Sequence, residues 1–274
     1  VGDALTKWVG SHLPVGQVIF FRALFIYIPI AIIISRSGGT KVLRVTDRKG
    51  LAIRALFYVS ATATISTSMI LLPLADAVAL LFAGPLFVTA LATPMLGEHV
   101  GWRRWAAVIV GFAGVVIMLR PTPDAIQILA VIPIVAALFS ALRDVTTRRI
   151  SATESSTAIM FWSNALLLIG SACSAPFGWE PMTFDDLWQL ALMGIVVGVA
   201  HWVMIEAFRL GEAALVAPFK YSGIVWGTLF GYLFWHTVPD AFILSGGALV
   251  VASGLYILHR ETRSKAPTPS ARSA

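Results

Sequence analysis

Residues 72–121 read LPLADAVALLFAGPLFVTALATPMLGEHVGWRRWAAVIVGFAGVVIMLRP, two long apolar stretches joined by a short bend that carries Glu98, Arg103 and Arg104. A helix rises about 1.5 Å per residue and a bilayer's hydrocarbon core is about 30 Å thick, so each stretch has membrane-crossing length. Such a hairpin has no polar face to give to water. It commits the chain to a lipid environment and to helices that satisfy their own backbone.

The hairpin recurs in degenerate form over residues 211–259. Placing Ala75 on Ala213 pairs Val78 with Val216 and Ala79 with Ala217, sets Pro85 on Gly223 and brings Glu98 to His236. A second echo has the pattern D-x-x-T-K/R: Asp3, Thr6 and Lys7 match Asp144, Thr147 and Arg148, and the same offset lays Phe20 on Phe161. Two echoes in the same order indicate a duplicated half.

Composition agrees. The chain is 58% hydrophobic and 12% charged with a mean hydropathy of +0.83, against about 25% charged residues in soluble domains. It lacks the alternating segments of about ten residues that mark a transmembrane β-barrel, so the class is all-α and polytopic. A single cysteine, Cys173, excludes an internal disulfide and a thiolate cluster.

Spans are expected at 15–34, 51–72, 75–96, 102–119, 125–142, 157–176, 187–208, 213–235 and 241–259. The residues before Ser11 read as the end of a helix whose beginning is absent, a truncated first span that brings the expectation to ten, five per half. The domains are then 1–121, 122–260 and a disordered cytoplasmic tail, 261–274, rich in Ser, Pro and basic residues. The net charge of +6 is laid out by side: sixteen of the twenty Lys and Arg fall on alternate links, Arg54, Arg143, Arg148 and Arg149 among them, while Glu180, Asp185 and Asp186 lie on the other face. Basic links face the cytoplasm, so both termini point inward and the charge reports orientation, with no nucleic acid implied. Five spans per half insert the second half upside down, the inverted repeat common among secondary carriers.

Read in order, PLADAVALLFAGPLF with LGE (73–87, 96–98), GFAGVVIMLRP (111–121), AHWVMIEAF (200–208) and APFKYSGIVW (217–226) resemble the drug/metabolite transporter superfamily, EamA-like ten-helix type. The opening DALTKW and FFR are similar to bacterial members associated with S-adenosylmethionine or riboflavin uptake. The resemblance covers nearly the whole chain and implies an inverted-repeat carrier of a small metabolite in the bacterial cytoplasmic membrane. One departure stands out: Trp235 and His236 replace the family's second-half Gly-Glu pair.

Polar groups at membrane depth are costly unless satisfied, which makes them functional candidates. Lys220 lies about 10 Å into the ninth span, with Tyr221 and Ser222 beside it and Pro218 before it; it binds or couples substrate, or snorkels to cytoplasmic water. Arg22 lies deep in the second span with few acids to match it, which points to an anionic substrate group or a bracing carbonyl. Asp3 and Lys7, four apart, either face the site or pair with each other. His201 could carry protons as the coupling ion, with Trp202 on the adjoining stripe. Tyr58, Trp162, Tyr221 and Trp226 are candidate cavity walls, Trp162 drawn inward by Asn164 nearby. Structural roles fall to Glu98 in the bend, to Pro85 in the interrupted fourth span, and to Gly223, Gly227 and Gly231 along the ninth.

These residues suggest a monomeric secondary carrier working by alternating access, with a cavity lined by the second, third, fourth, seventh, eighth and ninth spans. Its substrate is a small polar or aromatic metabolite, amino acid, nucleoside-like or vitamin-like, with a lean towards carboxylates. No nucleotide loop, cofactor motif or metal-ligand spacing is present, and no enzymatic chemistry is implied. A membrane-embedded enzyme or a non-transporting subunit is the alternative.

Overall fold

The computed structural model describes residues 2–97, 101–119, 128–236 and 240–264. Every regular element among them is helical. In chain order these are α1 (Gly2–Val9), α2 (Val15–Arg36), α3 (Arg48–Leu71), α4 (Leu74–Leu81), α5 (Ala83–Leu96), α6 (Trp102–Leu119), α7 (Ile128–Ile150), α8 (Ser156–Ala172), α9 (Phe184–Leu210), α10 (Ala213–Val216), α11 (Gly223–Trp235) and α12 (Ala241–Ser264), with 3-10 turns at Gly39–Leu43, Ala175–Phe177 and Ala217–Ser222. Among the described residues, five segments are long and apolar enough to cross a membrane: Val15–Arg36, Asp76–Leu96, Leu129–Ile150, Ser156–Phe177 and Phe184–Leu210.

Local chemistry sets the helix ends. Asp47 and Ser155 accept the backbone N–H three residues on, starting α3 and α8, and Thr183 and Asp186 form a reciprocal capping box at α9. Gly97 ends α5 at φ 69°, where glycine has no side chain to clash. His236 takes the same left-handed position after α11, at φ 51°. By backbone geometry, then, His236 is the counterpart of Gly97, one residue away from the Glu98 match read in the sequence. Glu98 itself lies outside the described residues, as do 265–274 of the predicted tail; α12 continues to Ser264.

Two helices are broken. The fourth span bends at Phe82 (ψ −4°), three residues before Pro85, whose missing N–H leaves the Leu81 carbonyl without its helical donor. The counterpart breaks more severely, into α10, a 3-10 turn over Ala217–Ser222 that contains Pro218, and α11. The broken pair packs face to face: a Cβ on Gly227 would lie 2.7 Å from Val78 and one on Gly223 3.4 Å from Phe82. Gly231 is buried on the same helix. Gly223 and Gly227 thus let α11 lie close to Phe82 and to α4.

Around this pair α3 packs on α7, α2 on α9 and α8, and α6 on α12. The last crossing is so close that a Cβ on Gly246 would sit 2.4 Å from the Gly114 carbonyl oxygen. Gly194 and Gly198 likewise admit Phe25 and Pro29 of α2. The largest apolar cluster joins α3, α4, α5, α6, α7 and α12.

Candidate functional site

The broken helices, α1, α2, α3, α7 and α9 enclose a cavity of about 660 Å³. Asp3 and Arg22 line one part of it, Tyr58 and Thr62 come from α3, and His201 and Met204 from α9. Lys220 enters from the 3-10 turn, Ser140 and Arg143 from α7, and Phe82, Pro85, Gly223, Trp226 and Gly227 from the broken pair. The helical breaks therefore position the site: unwinding at Ala217–Ser222 brings Lys220 to the cavity wall. No described residue of α8, the seventh expected span, lines the cavity, while α1 and α7 do. That corrects the expected wall.

Charge is concentrated here. Asp144, 2% exposed, accepts two hydrogen bonds on Oδ1 from Arg143, at 2.9 Å from Nε and 2.8 Å from Nη2, and one on Oδ2 from the Lys220 ammonium. Behind this triad Arg54, 1% exposed, donates from Nε to Thr147 Oγ1 at 3.1 Å and from Nη2 to His201 Nε2 at 2.9 Å, with its guanidinium 5.2 Å from the Tyr58 ring centroid. A guanidinium only donates, so His201 Nε2 is the accepting, unprotonated nitrogen. His201 also lies against Tyr58, centroids 4.7 Å apart.

Arg54, Arg143 and Asp144 are buried charges at or behind the cavity wall that the sequence reading missed. It counted Arg54 and Arg143 as link cations, but α3 begins at Arg48 and α7 runs on to Ile150, so both lie inside helices and are buried. Asp144 was visible only as part of the D-x-x-T-K/R echo.

That echo has a structural counterpart. Thr6 Oγ1 donates to the Gly2 carbonyl at 2.9 Å, and Thr147 Oγ1 to the Arg143 carbonyl at 2.7 Å. Lys7 donates to the carbonyls of Met69 and Leu72 at the end of α3, at 3.2 and 2.6 Å. Arg148 does the same at the end of α9, to Phe208 and Arg209 at 3.5 and 2.8 Å. In each copy the threonine bonds back one turn and the basic residue caps a neighbouring helix's orphan carbonyls. Asp3 faces the cavity; Asp144 lies just behind its wall.

Several predicted site residues are elsewhere. Lys7 neither pairs with Asp3 nor lines the cavity, because the α3 carbonyls capture its ammonium. Trp162 is 45% exposed and donates from Nε1 to the Leu43 carbonyl at 3.1 Å. Two residues along a helix is about 200° of rotation, so burying Asn164 turns Trp162 outward. Asn164 is buried, but it ties α8 to α2 through the Ala23 carbonyl at 2.9 Å, away from the cavity. Trp202 packs beside Ile26, Ile30 and Ile205, about 100° around α9 from His201. The backbone of Tyr221 and Ser222 belongs to the 3-10 turn, and their side chains lie outside the description.

The sequence profile of the EamA-like transporter family matches residues 1–120 and 126–259. The S-adenosylmethionine uptake transporter of Rickettsia bellii is 25% identical over 265 residues, 96% of this chain and 90% of its own. The riboflavin transporter of Rhizobium johnstonii is 31% identical over 192 residues, 70% of this chain and 64% of its own. The pseudopaline exporter CntI of Pseudomonas aeruginosa is 28% identical over 265 residues, 92% and 89%. A solved crystal structure superposes with a TM-score of 0.69 over 96% of both chains at 17% identity, which shows a shared fold.

Proposed function

The chain belongs to the EamA-like transporter family, and we propose that it is a multi-pass secondary carrier moving one small polar or aromatic metabolite across the cytoplasmic membrane by alternating access. The observation that carries this reading is the central cavity, where Arg22, Arg143 and Lys220 face a space of metabolite size inside an otherwise apolar bundle. Charges at that depth are expensive, and a structural scaffold has no use for them.

The ten-span reading takes α4 with α5 as one broken span and α10 to α11 as another, and the remaining helices singly. Residues 1–121 and 122–260 then form two inverted halves, both termini cytoplasmic. The two profile matches support this, as do the equivalent bonds of the D-x-x-T-K/R copies. So does the packing: α3 against α7 corresponds to α9 against α1, and α2 against α9 to α8 against α3. The cavity lies where the halves meet, the place rocking would expose to each face in turn. Its residues bind and release; no bond of the substrate is made or broken. A proton-coupled cycle would run through Asp144 and Lys220, whose pairing ties α7 to the break in the ninth span.

Relatives named for S-adenosylmethionine uptake, riboflavin transport and pseudopaline export define a first panel, extended with the common amino acids and nucleosides. The test is flux into proteoliposomes containing the full-length protein. Saturable uptake of at least one compound, inhibited by its unlabelled form, is the expected result; flux equal to empty liposomes for the whole panel refutes the reading.

A further inference from the structure

Arg22 is 8% exposed, lines the cavity and makes no hydrogen bond among the described residues, its Nε among the buried nitrogens left without a partner. Asp3 lines the same cavity, and it and Arg22 form no ion pair with each other. Asp3 is open to the cavity and its side chain makes no hydrogen bond or ion pair among the described residues, Lys7 having been drawn to the α3 carbonyls. A carboxylate and a guanidinium therefore face one cavity without bonding each other, and the buried guanidinium is costly to leave unsatisfied.

An α-amino acid head group has the complementary form, a carboxylate and an ammonium on one carbon. We propose that the gap between Asp3 and Arg22 is the subsite for such a head group, its carboxylate on the Arg22 fork and its ammonium on Asp3. A planar carboxylate can accept two parallel bonds from a guanidinium, the geometry that makes arginine selective for it. Among the described lining residues, Asp3 is the one acid against Arg22, Arg143 and Lys220. With Asp144 already engaged by Arg143 and Lys220, the cavity keeps a cationic surplus that favours binding through the carboxylate end first. The remainder of the substrate lies along Tyr58, Phe82, Trp226 and Phe230, a wall suited to an apolar or aromatic extension.

This inference rests on the carrier reading. Its test uses the amino-carboxylate members of the flux panel, each beside its α-carboxamide, which lacks the carboxylate, and its N-acetyl form, which lacks the ammonium. The wild-type protein is expected to take up the parent compound and discriminate against both derivatives by roughly 30-fold or more, the scale of removing one partner of a buried charged hydrogen bond. Arg22→Gln should abolish discrimination against the carboxamide and leave that against the N-acetyl form; Asp3→Asn should do the converse; Arg22→Lys should restore part of the carboxylate preference. A purely structural role would lower all fluxes together and leave both ratios unchanged, and that result overturns the proposal. Saturable flux of riboflavin or a nucleoside without flux of any amino-carboxylate also overturns it while sparing the carrier reading. No flux for any compound refutes both.

Discussion

Removing the Asp144 carboxylate should damage the protein more than removing either cation it binds, and the asymmetry can be worked from the geometry. Asp144 takes two hydrogen bonds from Arg143 and one from Lys220 at 2% exposure. Asp144→Ala leaves two buried cations with no counter-charge, a loss of about 3–5 kcal/mol. At about 2–4 °C per kcal/mol for a chain of this size, the melting temperature of the detergent-solubilised protein should fall by about 6–20 °C. Lys220→Met leaves the two-point contact of Arg143 intact, and the Lys220 side chain, 23% exposed, is partly hydrated. Its loss should be about 1.5–3 kcal/mol, the scale of one hydrogen bond to a charged group. The double variant Asp144→Ala with Lys220→Met should then be more stable than Asp144→Ala alone, since one stranded cation has gone. Scanning fluorimetry on the variants measures this directly. The reasoning fails if Lys220→Met costs as much as Asp144→Ala, or if the double variant is the least stable.

Four further outcomes follow from the structure. Gly246→Val would press side-chain carbons into the Gly114 carbonyl, 2.4 Å from an added Cβ, and should lower the melting temperature through a loss of about 1–3 kcal/mol. His236→Gly should raise it slightly, because a non-glycine residue at φ 51° costs about 1 kcal/mol. His201→Gln should leave the pH dependence of uptake between about pH 6 and 8 unchanged, since Nε2 is already engaged as the acceptor from Arg54; a shifted profile would identify His201 as the proton carrier. Trp226→Ala should raise KM because Trp226 lines the cavity, whereas Trp162→Ala, on the outer surface, should leave KM within about 2-fold.

Much of this architecture is legible in the sequence because lipid imposes simple rules. Apolar runs fix the helices, Pro85 and Pro218 mark where two of them break, and isolated polar residues such as Arg22 and Lys220 stand out against their surroundings. Burial of charge near helix ends is less legible. Arg54 and Arg143 sit within two turns of polar links, and hydropathy alone reads them as part of those links; only the helix-to-helix contacts of α3 with α7 and α9 reveal their depth. Asp144 shares that fate, since its two partners come from its own chain neighbour and from a residue 76 positions away. Trp162 errs the other way: polar neighbours suggested an inward face, but on a helix the residue two positions from a buried Asn164 points out. Lys7 was misjudged because orphan carbonyls at the end of α3 compete for its ammonium with the carboxylate one turn away, and sequence spacing shows only the carboxylate.

The central claim is that one cavity opens to each side of the membrane in turn. With Cys173 replaced by serine, the chain has no other cysteine, and Val197→Cys places a single thiol on the cavity wall. A membrane-impermeant maleimide applied to right-side-out and to inside-out vesicles should label that thiol from both faces, with a transported compound in excess shifting the ratio of the two rates. Labelling confined to one face under every condition would contradict alternating access through this cavity.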